Sequence, residues 1–229
     1  MKKKTIVFIG IIVFIFLGSL GGFFLLKTTP SEDALRFKNE YEALNGTIRE
    51  SDGATYNIVS ISKNNPIQYT DAKGAIDILE SDKAILYIGA DWCPWCRNAV
   101  PVLFEVAKKY SVSTIYYLDL DDEKDSFEIQ DGNLVKTKEG SVGYYELLNK
   151  LSNHLNDYVL KDSNGKEYNT NEKRIYLPSV YAIKTGEVVG NHVGTTTLNE
   201  GQTKYDAMTE EQHDKVFNIY SELFQKVYK

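Results

Sequence analysis

The strongest constraint on the fold is a pair of cysteines, Cys93 and Cys96, placed where an apolar run ends and a helical pattern begins. Residues 83–90 (KAILYIGA) form a short, continuous apolar run, which is typical of a strand buried on both faces of a sheet. Pro94 opens a segment whose apolar residues recur at helical spacing, namely Val100, Leu103, Phe104 and Ala107. The sequence therefore predicts a central strand, a tight turn and a helix with Cys93 at its N-cap.

Three interpretations compete for this Cys-x-x-Cys pair: a structural disulfide, half of a zinc site and a redox-active dithiol. A bridge closing about four residues would contribute about 2 kcal/mol, against about 4.7 kcal/mol for a 100-residue loop. Zinc needs four ligands, and the histidines of the chain lie far apart without ligand spacing: His154, His192 and His213. We therefore favour a redox dithiol without a metal. The helix start would stabilise a thiolate on Cys93, and Cys96, one turn inside, would be the more buried resolving thiol.

The residues around this pair resemble the thioredoxin superfamily. Trp92 precedes the first cysteine, Pro101 matches the mid-helix proline of thioredoxins, and Leu177-Pro178-Ser179 is similar to their cis-proline segment. The resemblance implies an α/β, thioredoxin-like three-layer fold, in which helices flank a central mixed sheet. It also implies that Cys93 is the nucleophile, that Cys96 resolves the mixed disulfide, and that Pro178, in the cis form, leaves neighbouring backbone groups free to pair with a substrate chain. The residues then expected to contact substrate are Trp92, Pro94, Trp95 and Leu177.

A narrower resemblance extends over residues 37–103, which carry the turn Asn65-Pro66 and the motif Cys93-Pro94-Trp95-Cys96-Arg97. Together with Lys173-Arg174 and His192, this block is similar to the membrane-anchored bacteriocin transport accessory proteins of Gram-positive bacteria. That resemblance implies an association with peptide export.

Two departures from thioredoxins bear on the direction of electron flow. Tyr87 lies six residues before the first cysteine, where thioredoxins have a buried aspartate that helps to deprotonate the resolving thiol. Pro94 and Trp95 separate the cysteines, where thioredoxins carry glycine and proline, and a proline in the first position resembles glutaredoxins and periplasmic disulfide oxidases. Because these residues help to set the thiolate's pKa, we predict an oxidant or isomerase rather than a reductant.

Residues 122–172 form an insertion between the strand that follows the active-site helix and Pro178. Apolar residues at spacings of three and four predict that it is helical, with one face formed by Tyr145, Leu148, Leu151, Leu155, Tyr158 and Val159. This helix is either a substrate-contacting cap beside the dithiol or an elongated version of a helix that thioredoxins already have.

Three further side chains near the predicted site have less specific roles. Trp95 is expected to be exposed beside the dithiol, where it would either contact an unfolded substrate or pack on the next loop. Arg97 is expected to be solvated rather than to lower a thiol pKa. We expect His192 on a strand surface without a chemical role.

The N-terminal region begins with an uncharged run that starts at Ile6 and ends at Leu26. At about 1.5 Å per residue it would cross a hydrocarbon core of about 30 Å. Three lysines precede it, so the positive-inside rule places the N-terminus in the cytoplasm and the catalytic domain outside. We therefore predict a single-pass cell-membrane protein, with residues 1–4 as a cytoplasmic tail and 5–27 as a transmembrane helix. A cleaved signal peptide is the alternative.

Beyond that run, residues 28–55 are predicted to form a juxtamembrane helix and spacer, and residues 56–229 the thioredoxin-like domain. The helix is expected within residues 31–45, a first strand at 56–61 and a second helix at 72–79. Past Lys27 the chain carries 22 basic and 32 acidic residues, which excludes a nucleic-acid partner.

These features together predict a membrane-tethered thiol-disulfide oxidoreductase that acts on protein or peptide clients outside the cell membrane. Its only redox group would be the Cys93–Cys96 disulfide, without an organic cofactor or metal. Because no third cysteine can relay electrons, a separate redox partner is required. The alternative is a non-catalytic accessory module that assists peptide or bacteriocin export.

Overall fold

The computed structural model describes residues 29–229, in which a central sheet is surrounded by helices. In chain order the elements are α1 (Glu32–Ala43), β1 (Ile67–Thr70), α2 (Ala72–Leu79), β2 (Lys83–Ile88), α3 (Pro94–Lys109), β3 (Ile115–Leu118), β4 (Ser126–Gln130), β5 (Asn133–Lys138), α4 (Val142–Lys150), a 3-10 turn (Ser152–His154), β6 (Asn156–Lys161), β7 (Glu167–Arg174), β8 (Ser179–Lys184), β9 (Glu187–Val193) and α5 (Glu210–Tyr228).

The central sheet has five strands in the order β1-β3-β2-β8-β9. β1, β3 and β2 run parallel, whereas β8 pairs antiparallel with β2, and β9 pairs antiparallel with β8. This order and these directions are the ones expected of a thioredoxin-like fold, with the dithiol directly after β2 and Pro178 directly before β8. The predicted mixed α/β fold, with helices flanking a mixed sheet, is confirmed.

Both faces of the sheet are covered, because successive residues of β2 enter opposite cores. Ile85 and Tyr87 pack with residues of α1, α3 and α5, and the next core is built around Leu86 and Ile88 with residues of α2 and α4. The continuous apolar run in the sequence reflects this burial on two sides. β2 is therefore a rigid element from which the dithiol turn extends.

The predicted first strand at residues 56–61 is wrong, although Val59 and Ile61 are buried at alternate positions as a strand would require. Their backbone groups bond to side chains instead of a neighbouring strand. Asn45 receives the Val59 N–H (3.0 Å) and donates to the Val59 carbonyl (2.8 Å), while Glu42 accepts from the Ile61 N–H (2.8 Å). Polar side chains at the end of α1 thus replace the partner strand.

The predicted helical character of insertion 122–172 is only partly right. α4 ends at Lys150, and the chain then forms β6, so Tyr158 and Val159 lie on a strand rather than on a helix. β4 with β5 and β6 with β7 form two separate two-stranded sheets. The first of these hairpins turns at Asp131-Gly132, both at positive φ, which is the arrangement that an Asp-Gly pair favours.

The predicted transmembrane run and cytoplasmic tail lie outside the described residues. Within residues 29–229, no helix is both long and apolar enough to cross a membrane. Ser31 caps the start of α1 by accepting from the Ala34 N–H at 3.1 Å, and residues 31–229 form one compact unit.

Candidate active site around a buried dithiol

The dithiol lies at the start of α3, as the sequence predicts. Pro94 occupies the first turn and Cys93 is the N-cap, in extended backbone conformation. Cys93 retains 4% of its surface exposed and Cys96 none. The first thiol can therefore be reached from outside, whereas the second can react only with a group already held by the first.

The surroundings of Cys93 favour its thiolate. Its pKa is lowered, first by a hydrogen bond from the Cys96 thiol and then by the backbone N–H groups of Cys96 and Trp95, with a smaller contribution from the positive charge of Arg49. Partial burial acts in the opposite direction. The free N–H groups of the first helical turn thus act on the sulfur as the helix-start position predicts.

The surroundings of Cys96 favour its neutral thiol. Burial raises its pKa well above the ordinary value, and the neighbouring Cys93 raises it further. The Tyr87 hydroxyl and the Ala90 backbone counteract part of this rise. One thiol of the pair is therefore prepared for attack, while the other needs help to lose its proton.

The residue that faces Cys96 from β2 is Tyr87, whose side chain is fully buried. Its hydroxyl lies 3.1 Å from the hydroxyl of Tyr41 on α1. A Cβ at Gly89 would lie 2.3 Å from the Tyr87 hydroxyl oxygen, so glycine is required there for the ring to fit. Where thioredoxins have a buried aspartate, this protein therefore has two neutral hydroxyls, those of Tyr87 and Tyr41.

The cis-proline segment lies directly against the nucleophile. The Leu177–Pro178 peptide bond is cis, and the Cys93 thiol donates to the Leu177 carbonyl at 3.9 Å. The Pro178 carbonyl accepts from the Gly194 N–H at 2.8 Å, which fixes the segment to the end of β9. Within residues 29–229, the Leu177 N–H donates to no protein acceptor, so it is available to a bound chain.

A cavity of about 350 Å³ opens beside Cys93. Five of the residues predicted to form the site line it together: Trp92, Cys93, Pro94, Trp95 and Leu177. Cys96 and Pro178 lie behind this lining. Trp95 is half-buried rather than fully exposed, and the Trp92 indole N–H donates to Asp121.

The sequence did not predict the other wall of the cavity. The insertion contributes Lys124, Tyr144 and Tyr158, and Arg174 follows from the end of β7. Two further cations come from Arg49 and Lys204. No short motif marks these residues, because they come from the segment after β3, from α4 and from the β6–β7 hairpin, which are distant in sequence from the start of α3. The insertion therefore has a feature of each interpretation: some of its side chains line the cavity beside Cys93, and α4 covers one face of the sheet.

The expectation that Arg97 is solvated is wrong, because this guanidinium is fully buried. It donates to the backbone carbonyls of Tyr41 (2.7 Å), Asp91 (3.1 Å) and Asn57 (2.8 Å) and to the Asn45 side chain (2.6 Å). Burial lowers its pKa from the ordinary value. Arg97 therefore connects α1 and the loop after it to the active-site turn.

The histidines and acids of residues 29–229 form no cluster of three or more groups placed to hold a metal ion. His192 lies on β9, half-buried, with its Nε2 atom 3.1 Å from the Thr195 carbonyl. Burial lowers its pKa, so the ring is neutral near pH 7.

No protein-family model matches the chain, and no curated protein matches it. Among solved structures, it is similar to thioredoxins O2 and O1 from Arabidopsis thaliana, both oxidised. Each is 16% identical; the matches cover 72% and 71% of this chain and 96% and 98% of theirs, with TM-scores of 0.35 and 0.38. Thioredoxin f2 from Chlamydomonas reinhardtii is 12% identical over 56% of this chain and 83% of its own, with a TM-score of 0.30. Likeness this low adds nothing to the site, which is defined by the residues above.

Proposed function

We propose that the protein is a thiol-disulfide oxidoreductase whose redox group is the Cys93–Cys96 pair. The observation that carries the proposal is the asymmetry of the two thiols. Cys93 has a lowered pKa and borders an open cavity, whereas Cys96 is fully buried with a raised pKa. A purely structural disulfide does not require a thiolate stabilised at the start of a helix. Nor does it require a cis-proline and a cavity of substrate size beside that thiol.

In the oxidising direction, a client thiolate attacks the Cys93 sulfur of the Cys93–Cys96 disulfide. A mixed disulfide forms between client and Cys93, and Cys96 leaves as a thiolate that takes up a proton. A second client thiolate then attacks the client sulfur, so the client leaves with a disulfide and Cys93 leaves as a stabilised thiolate. Two electrons pass to the dithiol, and a separate redox partner must remove them. The free Leu177 N–H and the adjacent cis-proline would hold the client backbone as an added strand.

We further propose that the protein acts as an oxidant or isomerase rather than as a reductant. Stabilising the Cys93 thiolate favours the reduced pair and makes its disulfide more oxidising. Tyr87, in place of an aspartate, provides no carboxylate to assist Cys96 when it must attack. We expect a reduction potential less negative than the roughly -270 mV of thioredoxin. Equilibration with glutathione buffers measures it, and a value at or below that of thioredoxin would make the protein a reductase instead.

The proposed exchange is tested by capturing its intermediate. Cys96→Ser should accumulate client proteins joined to Cys93, because the second thiol can no longer release them. Cys93→Ser is the matched control and should capture none. If only Cys93→Ser captures clients, the roles of the two cysteines are reversed.

The tether and location remain proposals, supported by the uncharged run from Ile6 to Leu26 and the lysines before it. A thiol reagent that cannot cross membranes should label Cys93 in intact, reduced cells. Recovery of a shortened protein in the medium would instead support a cleaved signal peptide.

A non-catalytic accessory role in peptide or bacteriocin export is the second candidate, supported only by the narrower sequence resemblance. The double variant Cys93→Ala, Cys96→Ala separates the two functions. An accessory module still assists peptide export in this variant, whereas a protein that acts by thiol-disulfide exchange no longer does.

A further inference from the structure

The walls of the cavity beside Cys93 differ in chemistry from the rest of the chain. Four cationic side chains line it, and no aspartate or glutamate does: Arg49, Lys124, Arg174 and Lys204. The chain past residue 27 nevertheless has ten more acidic than basic residues. Cations are therefore concentrated at the cavity that opens beside the nucleophile.

Three of these cations are held in place by carboxylates outside the cavity lining. Arg49 pairs with Asp52 at 3.3 Å, Lys124 pairs with Asp121, and Arg174 pairs with the buried Asp125. Each of these cations is thus held by a carboxylate outside the lining. Arg49 also donates to the Trp92 carbonyl (3.1 Å) and the Ser51 hydroxyl (3.2 Å), and its Nε atom is buried, so its donors are already engaged or enclosed.

Arg174 is the most firmly positioned of the four. Its Nη1 atom donates to the Asp125 carboxylate, to the Asp125 carbonyl (3.1 Å) and to the Tyr144 hydroxyl (3.2 Å). The guanidinium carbon lies 4.3 Å from the centre of the Tyr158 ring. All the hydrogen bonds it makes within residues 29–229 therefore use one nitrogen and fix the plane of the group.

The Nε and Nη2 atoms of Arg174 donate to no acceptor within the described chain, and neither is sealed from solvent. These two atoms form the edge of a guanidinium that binds a carboxylate through two parallel hydrogen bonds. The Arg174 side chain is only 12% exposed, so this edge of the guanidinium lies in a partly desolvated environment. Hydrogen bonds to a carboxylate are stronger there than in water.

We propose that this cavity selects polypeptide clients that carry an aspartate or glutamate next to the reacting cysteine, and that Arg174 binds that carboxylate. The inference rests on the proposed function, since a client must first react with Cys93. A polypeptide, rather than a small acidic thiol, fits the free Leu177 N–H beside the cis-proline, which offers a backbone partner as well as a side-chain one.

The test compares two octapeptide disulfides that differ only by glutamate or glutamine beside the cysteine. Their rates of exchange with Cys93 are measured in the full-length protein carrying Cys96→Ser. We expect the glutamate peptide to react roughly tenfold faster, because a charge-assisted bond of about 1.4 kcal/mol corresponds to that factor. Arg174→Gln should bring the ratio of the two rates close to one.

Lys173→Gln is the matched control, because it removes the same charge from the neighbouring position of β7. Lys173 pairs with Asp157 at 2.8 Å and does not line the cavity. The rate ratio should therefore be kept in this variant. Arg174→Lys retains the charge but not the two parallel donors, so it should keep only part of the preference for the glutamate peptide. Circular dichroism and the melting temperature of this variant check that its fold is intact.

The outcomes separate the two proposals. If neither peptide reacts, the proposed function fails; if both react equally in the parent protein, the subsite fails. A ratio that falls as much in Lys173→Gln as in Arg174→Gln would reduce the effect to long-range charge and overturn the role of Arg174. Glutathione disulfide serves as a third substrate, and if only its rate depends on Arg174, the commitment to a polypeptide client is wrong.

Discussion

Replacing the buried Arg97 by methionine tests whether the active-site turn depends on the N-terminal segment. The substitution keeps most of the side-chain volume but removes every donor. It leaves three backbone carbonyls without this donor, the buried one of Tyr41 and the partly buried ones of Asp91 and Asn57. Each unsatisfied carbonyl costs about 1–3 kcal/mol.

Part of that cost is offset, because the folded protein no longer buries a cation. We therefore expect a net loss of about 3 kcal/mol in the free energy of unfolding, because the carbonyls left without a donor cost more than is gained by no longer burying the cation. For a chain of this size, about 1 kcal/mol shifts the melting temperature by about 2–4 °C, so Tm should fall by roughly 10 °C.

The assay is thermal unfolding of the purified reduced protein, followed by circular dichroism. Arg36→Met is the control, because Arg36 forms an ion pair with Glu40 at 2.8 Å while 60% of its side chain is exposed. Such exposed pairs contribute at most about 1 kcal/mol. If Arg97→Met melts within about 3 °C of the parent protein, the connecting role assigned to Arg97 is wrong.

Three further outcomes follow from the charges near the dithiol and within the insertion. Arg49→Gln should raise the pKa of Cys93 modestly, since its charge is a minor cause of the lowered value; the pH dependence of alkylation measures this, and an unchanged midpoint contradicts it. In the parent protein, the alkylation rate of Cys93 should reach its plateau with a midpoint below the ordinary thiol pKa of about 8.5, because only the thiolate reacts. Asp125 has a pKa raised by burial and by the nearby carboxylate of Glu172, so the stability it contributes is present at low pH and lost as pH rises through that pKa. Glu172→Gln removes that neighbouring charge, so this variant should gain stability relative to the parent as pH rises through the pKa of Asp125. A difference in unfolding free energy that stays constant with pH refutes the coupling of Asp125 to Glu172.

The parts of the fold that the sequence predicts well are those determined by neighbouring residues. The strand 83–88, the turn and the N-cap at Cys93 lie within a dozen residues, and the apolar pattern and Pro94 define them without distant contacts. The cis-proline segment is recognisable for the same reason. The two thiols of the site were therefore found from the sequence alone.

The parts that could not be predicted depend on partners distant in the chain. Residues 56–61 have the alternation of a strand, but their backbone partners are the side chains of Glu42 on α1 and Asn45 just after it. Arg97 is buried because four segments supply its acceptors, and no local pattern records that. In the insertion, helical spacing continues to Val159, yet pairing of β6 with β7 overrides it after Lys150. The Asp131-Gly132 pair was the available signal for a hairpin.

The two hairpins lie between the end of β3 and the start of β8 in the chain, and these two points are at the same end of the central strands. Each forms its own two-stranded sheet, so the five central strands make their backbone ladder without them. α4 must remain, because it covers one sheet face, and the buried Arg174–Asp125 pair must be kept, but the rest of each hairpin can change in length and residue type without altering the central ladder. Descendants of this gene could exchange them to reach new clients while inheriting the same pair of sulfurs.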